Sequence, residues 1–157
     1  MEYVALDKFD KVILEVLQPN AALSVAQVAE SAALSKTACW HRIQKLESAG
    51  VIKGRVTLLE PKLVNLGLIA YMVVRTNQHD QQWLDQFARV VAGIPEILEI
   101  YRLSGDMDYL LQAVVPDMEG YDRMYKKLIA GISLYDVSSS FVMETVKKTT
   151  ELPLNYI

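Results

Sequence analysis

The chain is poor in the residues that build covalent and metal cross-links. Cys39 is the only cysteine among 157 residues, which excludes an internal disulfide and a zinc site made of several cysteines. The two histidines, His41 and His79, lie far apart in sequence and lack the spacing of metal ligands. We therefore expect no metal and no cofactor, and we expect Cys39 to serve in packing before any role as a redox sensor.

Long apolar runs and a basic leader are also missing. No run reaches the roughly 18 apolar residues that a membrane span requires. The first ten residues, MEYVALDKFD, carry acidic residues where a signal peptide would carry basic ones. An apolar content of 52% with 22% charged residues is typical of a folded globular protein. These features predict a cytoplasmic protein with no membrane contact.

Residues 23–52 have the pattern of two short helices joined by a tight turn. Ser24 and Gln27 have the spacing of a capping box, which predicts a helix that begins directly after Ser24. Ser35 can cap a second helix, and Gly50 can end it in a left-handed conformation. The pattern predicts a helix-turn-helix of the kind that reads DNA, although a helical hairpin with a solvated charged face would share it.

The second helix presents polar and basic residues outward, because Cys39, Ile43 and Leu46 have the spacing of a buried stripe. Residues 31–56 carry five basic residues against one acid, a local charge of +4 in a chain whose net charge is −3. Local basic charge favours DNA, since phosphate contacts act within about 8 Å at physiological salt. The candidate DNA-binding residues are Ser35, Lys36, Thr37, Trp40, His41, Arg42, Gln44, Lys45 and Lys53.

These candidates divide by expected role. The residues expected at base edges are Thr37, His41 and Lys45. Arg42 and Lys53 either hold phosphate or stabilise the domain. Trp40 either forms a partly buried lid on the helix pair, which is the more common use of a large aromatic residue, or packs near the DNA backbone.

The remaining periodicity predicts a second domain. In the first part we expect three helices within residues 6–50, a strand at 51–59 and a linker at 60–67. In the second part we expect a strand at 68–76, a helix at 80–92, a hairpin of strands 97–103 and 108–115, a helix after Asp117 and a strand from 137 to about 146. The predicted buried stripe of the helix after Asp117 is Met118, Tyr121, Tyr125, Leu128 and Ile129.

The order βαββαβ in the second part predicts a ferredoxin-like antiparallel sheet with both helices on one face. The whole chain is then an α+β protein of two domains, a winged helix-turn-helix at 1–59 and a ferredoxin-like domain at 68–157. The uncovered sheet face includes apolar side chains, so we expect two chains to pack their sheets together and to present two DNA-reading helices.

Four separate segments, in the right order, match the pattern of one known family. They are LDKFDKVILEVLQ at 6–18, LSKTACWHRIQKLESAGVIKG at 34–54, SGDMDYLLQAVVPDM at 104–118 and SSSFVMETVKKTTELPL at 138–154. They resemble the Lrp/AsnC family of bacterial and archaeal transcription regulators over nearly the whole chain. The resemblance implies double-stranded DNA as partner, a second domain that dimerises and senses an amino acid, assembly of dimers into higher oligomers, and an effector cleft between dimers.

The resemblance also implies an effector loop at residues 105–108. Glycine there allows a close backbone approach, backbone N–H groups of a turn can hold a carboxylate, and an aspartate can take an ammonium group. Leu103 and Met107, the apolar residues at this loop, favour an amino-acid effector with an uncharged side chain, such as leucine, methionine or cysteine. The candidate effector-binding residues are Leu103, Gly105, Asp106, Met107, Asp108, Ser138, Ser139 and Ser140. A plain hairpin turn and a solvated strand would show the same residues.

The chain departs from the family at the start of the recognition helix. Ser35 is followed by Lys36 where many members have proline, and Trp40-His41-Arg42 stands where many have two basic residues. We therefore expect an operator preference of its own. Two other functions are an enzyme acting on tetrapyrroles and a stand-alone amino-acid sensor. The second half offers only His79 and no nucleophile–base pair for the enzyme, and a sensor would have little use for a basic first domain. We expect an amino-acid-responsive regulator and no enzymatic activity.

Overall fold

The computed structural model describes residues 4–157 and divides them into two compact units. The first unit holds residues 4–57 together with the tail 147–157, and the second holds residues 58–146. Within these described residues, no helix has both the length and the apolar character needed to cross a membrane.

Three capped helices form the first unit: α1 (Lys8–Leu17), α2 (Val25–Ser31) and α3 (Lys36–Ser48). Ser24 and Gln27 form the expected capping box on α2, and the Ser35 hydroxyl accepts the Ala38 N–H on α3. Gly50, at φ +71°, ends α3 as the sequence predicts, with its N–H bonded to Glu47. The predicted three-helix arrangement is confirmed.

The turn between α2 and α3 depends on a residue that carries no turn signal. Ala33 adopts a left-handed conformation with φ +51°, and its N–H bonds to the Glu30 carbonyl. Beside this turn the two helices pack through side chains that include the small Ala29 and Ala32. The buried core of the unit consists of Ile13, Leu14, Leu17, Val28, Ala29, Ala32, Cys39, Ile43 and Leu46.

The second unit is a four-stranded antiparallel sheet in the order β2-β3-β1-β4. Its elements are β1 (Leu68–Arg75), α4 (Gln81–Ala92), β2 (Ile97–Arg102), β3 (Tyr109–Val115), α5 (Met118–Gly131) and β4 (Asp136–Phe141). Alternate residues of β1 and β3 are buried with side chains of both helices in one core, so the helices cover one face. The ferredoxin-like prediction is confirmed.

The predicted strand at 51–59 is wrong. The structure assigns no strand to this segment, residues 53–60 are exposed, and no neighbouring strand of the described chain lies beside them to complete a hydrogen-bond ladder. A short 3₁₀ helix, Pro61–Val64, follows. The last strand is also shorter than predicted, because its ladder with β1 ends at the bond from the Val142 N–H to the Ile69 carbonyl.

Two residues of the predicted α5 stripe point outward. Met118 is 55% exposed and Ile129 is 46% exposed, whereas Met124, absent from the predicted stripe, is fully buried. The inward positions follow four-residue spacing through Gly120, Met124 and Leu128. The tyrosines of the predicted stripe pack at the margin of the core.

The tail is the main difference in domain organisation. Residues 147–157 were predicted to belong to the second domain, but in the structure they pack with the helices of the first unit. The sequence could not show this contact, because it depends on hydrogen bonds between α1 and a segment more than a hundred residues away. The linker at 60–67 stays a prediction.

Candidate DNA interface and candidate ligand site

The exposed face of α3 carries the polar residues that the sequence placed there. The outward positions are all exposed: Thr37, Trp40, His41, Gln44, Lys45 and Ser48. The first turn of α3 contains no acidic residue, so the positive end of the helix dipole adds to the charge of Lys36. Such an end is suited to a phosphate.

Three lysines of this region are exposed and available to contact DNA. Lys36, Lys45 and Lys53 are exposed, and none forms an ion pair with a carboxylate of residues 4–157. The only acid nearby in sequence, Glu47, is held by Arg55 at 2.9 Å and by the Gln44 amide at 2.9 Å. The free positive charge therefore lies on the lysines.

Arg42 is occupied by two carboxylates of the first helix region. Its Nη1 lies 2.7 Å from Asp7 Oδ2 and 2.7 Å from Asp10 Oδ1, and the Asp10 side chain is only 3% exposed. Hydrogen bonds to Asp10 and then Asp7 raise the pKa of Arg42. This geometry supports the domain-stabilising role over the phosphate contact.

The same carboxylates build the start of α1. Asp7 Oδ1 accepts the N–H groups of Phe9 and Asp10, and Asp10 Oδ2 accepts the Asp7 N–H, so the two aspartates form a capping box. The N–H of Asp10 and then the Arg42 guanidinium hold the pKa of Asp7 below its ordinary value. The network was not predicted from the sequence, although the spacing Asp7-x-x-Asp10 is typical of such a cap.

Trp40 does not form the predicted lid. It is 47% exposed, lies outside the core of the first unit, and meets the His41 ring edge-on with 4.8 Å between centroids. The position on α3 explains this, because the inward stripe is already filled by smaller side chains. Cys39 is fully buried and burial raises the pKa of its thiol, which suits packing and keeps the thiol protonated.

The candidate ligand turn joins β2 to β3. The Leu103 N–H donates to the Asp108 carbonyl at 2.8 Å and closes the turn. Gly105 has φ +114°, a conformation that strongly favours glycine, and the space where a Cβ would stand is empty to 4 Å. Asp106 and Met107 are exposed, so backbone and carboxylate at this turn are open to a ligand.

Asp108 is used by the fold. Its Oδ2 accepts the Thr76 N–H at 2.8 Å, and its own N–H donates to the Val74 carbonyl at 3.2 Å. This carboxylate ties the turn to the end of β1, and Thr76 is itself buried. Of the two aspartates predicted to hold an ammonium group, Asp106 is the one that is exposed and forms no ion pair with residues 4–157.

The three serines do not gather at the turn. Strand alternation sends Ser139 to the helix side, where its hydroxyl bonds to the Tyr121 hydroxyl, and sends Ser138 and Ser140 to the opposite face. In the sheet, Ser138 pairs with Val73 and lies two strands from β3, about 10 Å away by strand spacing. Within this chain the three serines therefore do not form one group beside the turn, and their part in ligand binding stays a prediction.

An apolar groove, which sequence reasoning did not find, ends beside the same turn. It has a volume of about 530 Å³ and runs between α4 and the edge strand β2. Leu84, Phe87 and Ile100 line it, and Arg102 and Tyr109, the residues that flank the turn, also belong to its wall. The groove places apolar surface next to the exposed backbone of the turn.

Comparisons with known proteins agree with this two-part organisation. The family model described as Lrp/AsnC ligand binding domain matches residues 69–152, and the one described as winged helix-turn-helix DNA-binding matches residues 6–53. The chain belongs to the Lrp/AsnC family.

Similar proteins cover nearly the whole chain. A glutamate uptake regulatory protein of Zymomonas mobilis is 48% identical over 95% of this chain and 91% of its own length. The crystal structure of an AsnC family transcriptional regulator from Agrobacterium tumefaciens is 50% identical, with a TM-score of 0.93 over 97% of this chain and 99% of that one. A transcriptional regulator from Neisseria meningitidis in complex with L-Met is 39% identical, with a TM-score of 0.92 and the same coverage.

Membership in the Lrp/AsnC family fixes the broad function. The chain is a DNA-binding transcription regulator with a winged helix-turn-helix and a ligand-binding domain. Its ligand-binding match runs to residue 152 and thus into the tail that the structure packs with the first unit.

Proposed function

We propose that α3 reads operator DNA through Thr37, His41 and Lys45, while Lys36 and Lys53 hold phosphates. The observation that carries this proposal is the set of exposed lysines, none in an ion pair within residues 4–157, on and beside a capped helix with no acid in its first turn. Lysine and histidine donors fit acceptors at base edges in the major groove, which admits one helix. Exposed Trp40 lies on the same helix and is available to pack near the DNA backbone.

We propose that the working unit is a homodimer formed by the open sheet face. Val73 and Leu110 are paired neighbours on this face and are partly buried, and Tyr71 and Tyr101 beside them are 38% and 50% exposed. An apolar centre with a polar rim is typical of an interface. A twofold axis through it gives two recognition helices for two half-sites.

We propose that the ligand is an amino acid with an uncharged side chain. The open turn supplies backbone N–H groups and Asp106 for the polar end, and the adjacent groove supplies apolar surface. The L-Met complex of the Neisseria relative supports this class. Binding shifts the affinity for DNA through a preference for one arrangement of the assembly.

Fluorescence anisotropy tests the proposal. The chain is titrated onto labelled DNA from upstream of its own gene and onto a shuffled duplex, at about 50 and 200 mM salt, with and without each of the twenty amino acids. We expect salt-sensitive preference for the natural DNA and a change of about fivefold or more with an apolar amino acid. Equal affinity for both duplexes under every condition would overturn the DNA-reading residues, and a response to lysine or arginine alone would overturn the ligand class.

A further inference from the structure

The tail is fastened to the first helix by a single amide side chain. Gln18, which caps the end of α1, accepts the Leu152 N–H at 2.6 Å through Oε1 and donates to the Leu152 carbonyl at 3.1 Å through Nε2. The backbone N–H and carbonyl of Leu152 are thereby both hydrogen-bonded to the side-chain amide of Gln18. This arrangement requires an amide, because a carboxylate has no donor and a hydrocarbon has neither group.

Leu154 adds an apolar contact two residues further on. It packs, partly buried, against the core of the first unit. Pro153 between them restricts Leu152 to extended backbone, which presents the N–H and carbonyl of Leu152 to a side chain. The tail is thus held at two points by different chemistry.

The polypeptide therefore passes twice between the units. One passage is at residues 57 and 58, and the other at residues 146 and 147, just after β4 of the ligand-binding domain. A change in the ligand-binding domain can act on the DNA-binding unit through either passage. A tail released from the first unit would leave only the first passage to transmit it.

We propose that Gln18 is a positioning residue for regulation: by holding Leu152 it makes the tail a second connection through which the ligand-binding domain controls DNA binding. The inference rests on the ligand-controlled function proposed above. In this proposal Gln18 acts through its hydrogen bonds to Leu152 in the tail.

The contact is suited to control more than to stability. Both hydrogen bonds are exposed to water, and the Leu152 side chain is 71% exposed. The buried core of the first unit comes entirely from residues 13–46, so the helices keep their packing when the tail is released. Release therefore changes the connection without unfolding the DNA-binding unit.

The test compares the response to ligand in the full-length chain and three variants. Gln18→Leu removes both hydrogen bonds at nearly constant volume, and Leu154→Asp releases the tail by removing the apolar contact. Glu15→Leu changes an exposed residue on the same helix and is the matched control. The probe is an equimolar mixture of the twenty common L-amino acids, and the readout is the fold-change that it causes in affinity for the upstream DNA.

We expect the wild-type response of about fivefold or more to fall below about twofold in Gln18→Leu and in Leu154→Asp, with no further loss in the double variant. Gln18→Glu, which keeps the acceptor alone, should give an intermediate response. Thermal unfolding measures how far the amino-acid mixture stabilises the second unit. This stabilisation should persist in all variants, whereas a general folding defect would abolish it.

Each other outcome has a distinct meaning. A wild-type response that Gln18→Leu and Leu154→Asp retain in full would overturn the role of the tail and leave the proposed function intact. Equal loss in Glu15→Leu would also overturn the role of Gln18. A wild-type chain that does not respond to the mixture would overturn the proposed function and this inference together.

Discussion

The two units use their surface residues in opposite ways. In the DNA-binding unit, the candidate contacts lie on one helix and just after it, and the buried stripe of that helix decides which of its residues point outward. In the ligand-binding unit, the candidate contacts come from a turn, a groove and separate strands, and only part of them meet. A site on one helix follows from local spacing, whereas a site on a sheet depends on register and on which groups the fold itself consumes.

Each unit contains one charged candidate residue that the fold binds and one that stays exposed. Arg42 and Asp108 are both charged residues inside candidate sites, and both are bound by the fold, to Asp10 and to the Thr76 N–H respectively. Lys45 and Asp106 remain exposed beside them. Substitutions in these two pairs separate stability from function in each unit.

The largest expected effect is on the stability of the first unit. Arg42→Met leaves the Asp10 carboxylate buried without its partner, so the free energy of unfolding should fall by about 3 kcal/mol. Lys45→Met on the same helix should change it by less than about 0.5 kcal/mol. Urea unfolding measures both, and equal stability of the two variants would contradict the buried ion pair.

The matching comparison in the second unit separates its two aspartates. Asp108→Ala removes the acceptor of a buried N–H and should lower the free energy of unfolding by about 1–3 kcal/mol. Asp106→Asn should leave stability unchanged and raise the amino-acid concentration needed for half of the DNA response about tenfold, since it removes a charge-assisted bond. If Asp108→Ala were as stable as wild type, the turn would not depend on that bond.

A smaller effect distinguishes phosphate from base contacts. Lys36→Ala should weaken binding to every duplex alike and reduce the slope of log affinity against log salt by about 1. His41→Ala should instead cost about 1–3 kcal/mol on the preferred sequence and little on shuffled DNA. Anisotropy at several salt concentrations distinguishes the two, and identical behaviour would remove the division of roles.

The smallest effect concerns acid stability. Because the pKa of Asp7 is lowered in the folded protein, its contribution is complete above the ordinary carboxyl pKa and is lost as pH falls through the lower folded value. Asp7→Asn keeps the cap but loses the ion pair, so its Tm should lie below that of wild type at neutral pH. The gap should narrow as pH falls toward 3, and a constant gap in thermal melts would contradict the charge effect.

Local signals in the sequence predict most helices and the strand order. Capping residues and apolar periodicity place α1 to α5, and the hairpin follows from two apolar runs around Gly105. The turn at Ala33 carries no such signal, because alanine rarely adopts positive φ. The strand predicted at 51–59 has the right residues and no partner in the described chain, which periodicity within the segment cannot reveal.

In the candidate sites, too, features set by local spacing could be predicted and contacts between distant residues could not. Exposure along α3 could be predicted, since it depends on spacing alone. The Arg42 network, the separation of Ser139 from its neighbours and the contact of Gln18 with Leu152 join residues distant in sequence or depend on strand facing. Such contacts are decided by tertiary packing, to which a single sequence gives little access.

Selection of binding sites from random DNA shows whether the outer face of α3 reads sequence within a twofold dimer. We expect the wild-type chain to enrich a sequence with two symmetric half-sites, and Lys45→Ala to relax the preference at the same position in both halves. Enrichment of the same motif with unchanged strength at every position by Lys45→Ala, Thr37→Ala and His41→Ala would contradict it.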